Sequence, residues 1–282
     1  IVWIDEISMM NHYHWNIIDL LKKSCPTVQF ILCGDFKQLE SVGAILNFED
    51  SKLMKNICDY NLMYKTYIHR SDFVNTMDDY FTIDINNKIA QQEFIKLQNP
   101  RAIVVTNKLR EALNRLALKK LNCFFNDYLP GMPLVCKVNA KGGINKDAKI
   151  FHYNNVRYEV LKVAGNKKDS HITLKNIITE QEETYTKEYL NDNFWYAYAM
   201  TTYMAQGATF EFDYVIFEST LMNNTHKYVA LSRARKLSQI KNASRTVEFT
   251  KLAEVIKEEI IDIPIEQEQE QIREPENDIE LF

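Results

Sequence analysis

Two apolar strands in this chain each end in carboxylates. Ile1-Val2-Trp3-Ile4 runs directly into Asp5-Glu6, and Gln29-Phe30-Ile31-Leu32-Cys33 runs into Gly34-Asp35-Phe36-Lys37-Gln38-Leu39. An open α/β sheet places its chemistry just beyond the carboxyl ends of its strands. Two strand ends that deliver Asp-Glu and Gly-Asp-x-x-Gln are half of what phosphoryl transfer requires: a carboxylate for Mg²⁺, a group that orients water, and a polar side chain for the terminal phosphate. The other half, a glycine-rich phosphate loop, is not encoded in the 282 residues: the seven glycines include no G-x-x-x-x-G-K-[ST] spacing.

Pattern and punctuation divide the chain further. An amphipathic helix is expected over Tyr13–Lys23, with Trp15, Ile18, Leu20 and Leu21 as its apolar stripe. Residues 52–98 read as mostly helical. After Pro100, Arg101–Val105 reads as a buried strand, and Thr106-Asn107 caps a helix whose Leu109, Leu113, Leu116 and Leu121 recur near helical period. Short β runs at Leu134–Val138, Tyr158–Val163 and Ile172–Leu174, separated by Gly and Asn turns, then indicate a small β module over about residues 131–190. The α/β pattern resumes with strands at Tyr196–Met200 and Tyr214–Phe217, and Tyr228–Leu237 reads as a strand-to-helix passage.

Composition supports a globular chain, 46% hydrophobic and 12% aromatic, without an apolar run long enough for a membrane span. Five scattered cysteines with no C-x-x-C pattern indicate reduced thiols, hence an intracellular setting in cytoplasm or nucleus. The net charge of −4 is uneven: Glu258–Phe282 carries ten acidic residues and one basic, whereas Lys137–Lys175 carries nine Lys/Arg against three Asp/Glu. The basic stretch, with Lys146, Lys149 and Lys167, is a candidate polyanion surface or else a solvated face, and the Glu-Gln-rich tail is expected to be disordered.

Four stretches together carry a family resemblance. Ile4-Asp5-Glu6-Ile7-Ser8-Met9, Leu32-Cys33-Gly34-Asp35-Phe36-Lys37-Gln38-Leu39, Tyr198–Thr201 through Gln206-Gly207-Ala208-Thr209, and Tyr228-Val229-Ala230-Leu231-Ser232-Arg233-Ala234-Arg235 occur in the order of the Walker B, III, V and VI motifs. In this the chain resembles superfamily 1 DNA helicases of the 5′-to-3′ branch, which contains RecD-like, Dda-like and Pif-type enzymes. Tyr198-Ala199-Met200-Thr201-Thr202-Tyr203, with the Asn/Lys/Ile-rich composition, further resembles helicases of large DNA viruses. The implied fold is α/β, two RecA-like lobes with a small SH3-like β insert in the second. Residues 1–99 are expected to form a partial first lobe, truncated before Walker B. Residues 100–245 form the second lobe, and 246–282 a helical end and acidic tail.

The resemblance also implies roles. Asp5 holds Mg²⁺, Glu6 polarises water, Gln38 contacts the terminal phosphate of ATP, and Gly34, Asp35, Gln206 and Gly207 line the nucleotide. Arg233 is the arginine finger, and Arg70 is a second phosphate-contacting arginine, although Ser71 follows it where the family has Gln. Thr106, Asn107, Thr201 and Thr202 face the single-stranded DNA backbone. Phe36 and Tyr228 are either stacking or core residues. ATP and Mg²⁺ are the expected cofactors, and single-stranded and duplex DNA the expected partners, with replication or repair proteins on the acidic tail. Two departures stand out: Tyr203-Met204 replaces the usual His-Lys of motif V, and Glu40-Ser41 replaces Pro-Pro after motif III. A non-catalytic helicase-like binding protein is the main alternative; a nuclease using Asp5, Glu6 and Asp35 is a third.

Overall fold

The computed structural model describes residues 1–40, 48–49, 51–59, 61, 63–65, 68, 71–141, 151–165 and 170–245. These belong to one compact unit, Ile1–Arg245. The acidic tail and Lys146, Lys149 and Lys167 lie outside the described residues.

The chain begins with β1 (Val2–Ile4), a 3₁₀ turn at Ile7–Met9, α1 (His12–Ser24) and β2 (Phe30–Leu32). β1 and β2 are parallel, with Trp3 opposite Ile31. The ladder continues past the strands: Cys33 N–H donates to Ile4 O at 2.8 Å, and Ile7 N–H to Cys33 O at 3.0 Å. Asn11 caps α1, its side chain accepting from the amides of Tyr13 and His14. Trp15 and Ile18 pack with Ile7 and with Met54 and Ile57 of α2 (Lys52–Ile57). Two expectations fail here. Leu20 and Leu21 are exposed, because the small cluster reaches no further along α1, and Trp3, in a strand whose apolar run suggests burial, is 69% exposed. Trp3 and its partner Ile31, on the same face of this two-stranded sheet, are both exposed.

Residues 52–98 are less helical than expected. They contain β3 (Ile83–Ile85) and α3 (Asn87–Lys96), and β3 is recruited by the far end of the chain. β4 (Ala102–Val104) and α4 (Asn107–Lys120) follow, with Leu113, Ala117 and Leu118 buried rather than Leu121.

The β-rich segment comprises β5 (Pro133–Cys136), β6 (Ala140–Lys141), β7 (Phe151–His152), β8 (Arg157–Ala164), β9 (His171–Asn176), β10 (Glu182–Thr186), α5 (Lys187–Asn193) and β11 (Phe194–Tyr196). Five of these strands form an antiparallel sheet in the order β10-β9-β8-β5-β11, and β6 pairs with β7. The apolar run expected as one strand at Tyr196–Met200 is divided between two sheets: β11 closes the antiparallel sheet, and β12 (Ala199–Thr201) joins a parallel one. The remaining elements are α6 (Thr202–Ala205), β13 (Val215–Ile216), α7 (Asn224–Leu231) and β14 (Ala243–Arg245). The parallel sheet has the order β12-β4-β13, and β14 pairs antiparallel with β3. Helix α7 ends at Leu231, so Ser232 and Arg233 stand just beyond it rather than in a continuing helix.

A mixed α/β architecture with parallel and antiparallel sheets is therefore established. The parallel β1/β2 and β12/β4/β13 sheets carry Asp5, Glu6 and Gly34, and Thr106, Thr202 and Glu218, in the turns just past their carboxyl ends.

Candidate active site

Glu6 is the centre of the site. It follows β1 with φ 53°, left-handed backbone that non-glycine residues seldom adopt. Asp5 accepts the Glu6 amide at 2.8 Å, which fixes the turn. Gly34 makes this packing possible: a Cβ there would stand 2.7 Å from both the backbone nitrogen and Cγ1 of Ile7. Gly34, expected to line the nucleotide, is thus packed against the turn that carries Glu6.

Residues remote in sequence converge on the Glu6 carboxylate. Gln206 and Arg233 favour its charged form, and Asp5 and Asp35 oppose it. Gly207, at φ +72°, faces it: a Cβ there would lie 3.5 Å from Glu6 Oε1. Burial and the neighbouring Asp5 raise the Glu6 pKa, outweighing Arg233 and Gln206. A carboxylate whose pKa is raised is a better proton acceptor, as water activation requires.

Asp35 organises the neighbouring loop. One carboxylate oxygen accepts the Lys37 amide at 2.9 Å; the other accepts the Tyr228 hydroxyl at 2.8 Å and lies 3.4 Å from Gln38 Nε2. Tyr228 therefore ties α7 to the loop after β2 and is not a free stacking surface. Its ring meets Tyr80 edge-on, and burial followed by Asp35 raises its pKa. The Gln206 amide points to Leu39 O at 3.5 Å, a second link between the same regions.

Arg233 is 2% exposed. Its Nε donates to Val229 O at 2.9 Å, and its terminal nitrogens donate to Ala208 O, Ala205 O and Ser232 Oγ. The arginine thus clasps the loop that bears Gln206 and Gly207 while facing Glu6. Arg70 lies outside the described residues.

The expected DNA-facing residues separate into two groups. Thr106 and Asn107 open α4 at an accessible position. Thr201 caps α6, its hydroxyl accepting the Met204 amide at 3.3 Å, and is 7% exposed; Thr202 is fully buried. In this arrangement Thr202 has no surface to offer a strand. Positive charge beside the altered motif V comes from Arg110, whose guanidinium contacts Met204 Sδ at 3.4 Å and lies over the Trp195 ring. At 3% exposure it too is an internal group.

Glu218 escaped the sequence reading. It follows β13 with φ 57° and precedes a 3₁₀ turn, repeating at a second strand end the conformation of Glu6. Its carboxylate accepts the Val105 and Thr106 amides, each at 2.8 Å, and the Thr106 hydroxyl at 2.6 Å. It occupies the helix N-terminus that any anion would favour. The one local signal was Phe217-Glu218, an apolar strand ending in a carboxylate like Ile4-Asp5-Glu6.

Carboxylates at the ends of two parallel strands are thus faced by a Gln-Gly loop and a buried arginine within an α/β fold. Solved structures make the fold likeness specific. The chain superposes on the Pif1 helicase of Candida albicans with a TM-score of 0.51 at 14% identity, over 90% of this chain and 76% of that one. Unliganded Pif1 from Bacteroides sp. aligns with a TM-score of 0.43 at 18% identity, over 84% of this chain and 69% of that one. No family model and no curated protein matches the sequence. The chain thus has a helicase-type fold. Among the described residues no helix is long and apolar enough to cross a membrane.

Proposed function

We propose that the chain is the ATP-hydrolysing and strand-holding part of a superfamily 1 DNA helicase of the Pif type, which moves along single-stranded DNA and unwinds duplex. The observation that carries this reading is the convergence of Asp5, Glu6, Asp35, Gln206, Gly207 and Arg233, from four separate stretches, around one carboxylate. Residues 1–99 would supply the first RecA-like lobe, except that β3 and α3 pack with residues 100–245, the second lobe, whose insert would be the antiparallel sheet.

The side chains fit ATP and Mg²⁺. Mg²⁺ is commonly held by one or two carboxylates together with substrate phosphates. Asp5, exposed beside Glu6, would hold it. Bound there, the ion would neutralise charge on the transferring phosphoryl group. Glu6 accepts the proton of the attacking water. Gln38, tethered through Asp35 to Tyr228, orients the far phosphate and links it to α7. Arg233, already beside Glu6, supplies positive charge from the second lobe. Asn107, exposed at the start of α4, would contact the strand, beside Thr106, whose amide and hydroxyl are held by Glu218.

Residues 1–282 alone should show no DNA-stimulated ATPase, since they supply no amide cradle or lysine for the phosphates. Joining a segment with G-x-x-x-x-G-K-[ST] upstream should give turnover that Glu6→Gln abolishes. Vigorous hydrolysis by residues 1–282, or turnover indifferent to Glu6→Gln, refutes the reading. Inactivity with the loop supplied, alongside intact DNA binding, favours a non-catalytic helicase-like protein.

A further inference from the structure

Helix α4 starts at Thr106 and Asn107 and ends at an aromatic patch for which the active site has no use. Phe124 is 78% exposed and Phe125 60% exposed, adjacent phenylalanines in the turn that follows the helix. With Leu118 they floor an open groove of about 440 Å³, rimmed by Arg115, Lys119 and Asn122. The Arg115 guanidinium lies 5.6 Å from the Phe125 ring centroid, and Phe125 is steadied edge-on against Tyr196. Exposed aromatic surface is costly in water, and contiguous apolar patches mark contact surfaces.

The residues leading to this groove are cationic and collinear. Lys108, Arg115 and Lys119 are all exposed. At 3.6 residues per turn, positions i, i+7 and i+11 fall within about 40° of one another, and they extend ~16 Å along the axis. Of the carboxylates nearby, Glu218 is bound to Thr106 and Asp127 pairs with Lys187 at 3.2 Å, while Glu111, 60% exposed and 3.4 Å from Arg110, borders the stripe between Lys108 and Arg115. A cationic stripe ending in exposed rings is the chemistry of a single-strand platform, where phosphates track the charges and bases stack on aromatic faces.

We infer that single-stranded DNA, after passing Thr106 and Asn107, continues along the outer face of α4, with its phosphates on Lys108, Arg115 and Lys119 and a base stacked on Phe124. This rests on the DNA-binding reading above and adds a path and a second contact point to it. The occupant is a polyanion with flat rings; an acidic peptide would satisfy the cations but not the stacking geometry.

The test uses residues 1–282 and a fluorescent oligothymidylate of about 20 nucleotides, long enough for several contacts, with binding followed by anisotropy across a salt series. Phe124→Ala, at an exposed position where folding is not at risk, should weaken binding by about tenfold, the loss expected for one base stack, with the salt slope unchanged. Arg115→Gln with Lys119→Gln should instead reduce the slope by about 1.4, because each single-strand phosphate contact contributes ~0.7. Opposite signatures in affinity and slope would establish the path. If the parent binds and neither variant differs from it, this inference fails and the DNA reading stands. If the parent does not bind single strands, both fall together.

Discussion

Replacing Glu218 with alanine should destabilise the protein severely for a residue that is only part-buried. Its carboxylate accepts three hydrogen bonds of 2.6 to 2.8 Å, from two backbone amides and the Thr106 hydroxyl. Hydrogen bonds to a charged group contribute about 1.5–3 kcal/mol each, and discounting for non-additivity and for water reaching the vacated amides leaves about 2–4 kcal/mol. Alanine is a fair comparison because it carries the same left-handed backbone penalty at φ 57° as the glutamate, so the difference reports on the carboxylate. For a chain of this size each kcal/mol moves the melting temperature by roughly 2–4 °C, so a fall of about 5–12 °C is expected by circular dichroism. Glu218→Gln, which retains one acceptor oxygen, should fall between parent and alanine. Thr106→Val and the double variant complete a cycle whose coupling should exceed ~0.5 kcal/mol. An alanine variant within ~0.5 kcal/mol of the parent, the range of ordinary surface substitutions, would refute the reasoning. The same variant releases the Val105 and Thr106 amides at a helix N-terminus, so its affinity for single-stranded DNA should rise rather than fall.

Three further outcomes are expected. Gly34→Ala places a methyl 2.7 Å from the Ile7 backbone nitrogen, so the Glu6 turn must shift; urea denaturation followed by Trp15 fluorescence should show a loss of ~1–3 kcal/mol, and an unchanged midpoint would contradict the packing. Because burial and Asp5 raise the Glu6 pKa, the protonated form is favoured in the folded state: that stabilisation is complete below the ordinary carboxylate range and is lost as pH rises through the raised value. Glu6→Gln should therefore melt above the parent at neutral pH, with a gap that narrows on acidification; a pH-independent gap would be inconsistent with this. Arg233→Ala removes the donors to Val229, Ala205 and Ala208 and should cost roughly 3 kcal/mol or more, so a lowered melting temperature must accompany any loss of turnover, with Arg233→Lys intermediate in both.

The motifs were legible because their chemistry is local. An apolar strand followed by Asp5-Glu6 or Gly34-Asp35, and a polar pair capping α4, announce themselves within a few residues. What the sequence concealed was set by distant partners. Glu218 reaches Thr106 across 112 residues, and Tyr228 reaches Asp35 across 193. No periodicity encodes either contact. The run from Phe194 to Met200 is apolar throughout, so nothing in its pattern marked the change of sheet at Ala197-Tyr198. Leu20 and Leu21 lie on a helix whose apolar side is wider than the cluster available to cover it. Within the site, Gln206, Gly207 and Arg233 were anticipated, but that Arg233 would spend its donors on loop carbonyls could be learned only from the fold.

The uneven distribution of core has a dynamic consequence. Among the described residues, the cluster around Trp15 contains five buried hydrophobic residues, against twenty-three in the cluster shared by α4 and the antiparallel sheet. Local opening is easiest where few apolar contacts resist it. The β1/β2 ladder should accordingly exchange its amide protons well before β4, β5 or β8, so Asp5 and Glu6 ride on the part of the protein that opens first. The carboxylates at the ends of β1 and β2 are then ordered chiefly by what docks onto them, Tyr228 on Asp35 and the Gln206-Gly207 loop at Glu6. Anything that tightens those two contacts would slow amide exchange at β1 without touching β1 itself.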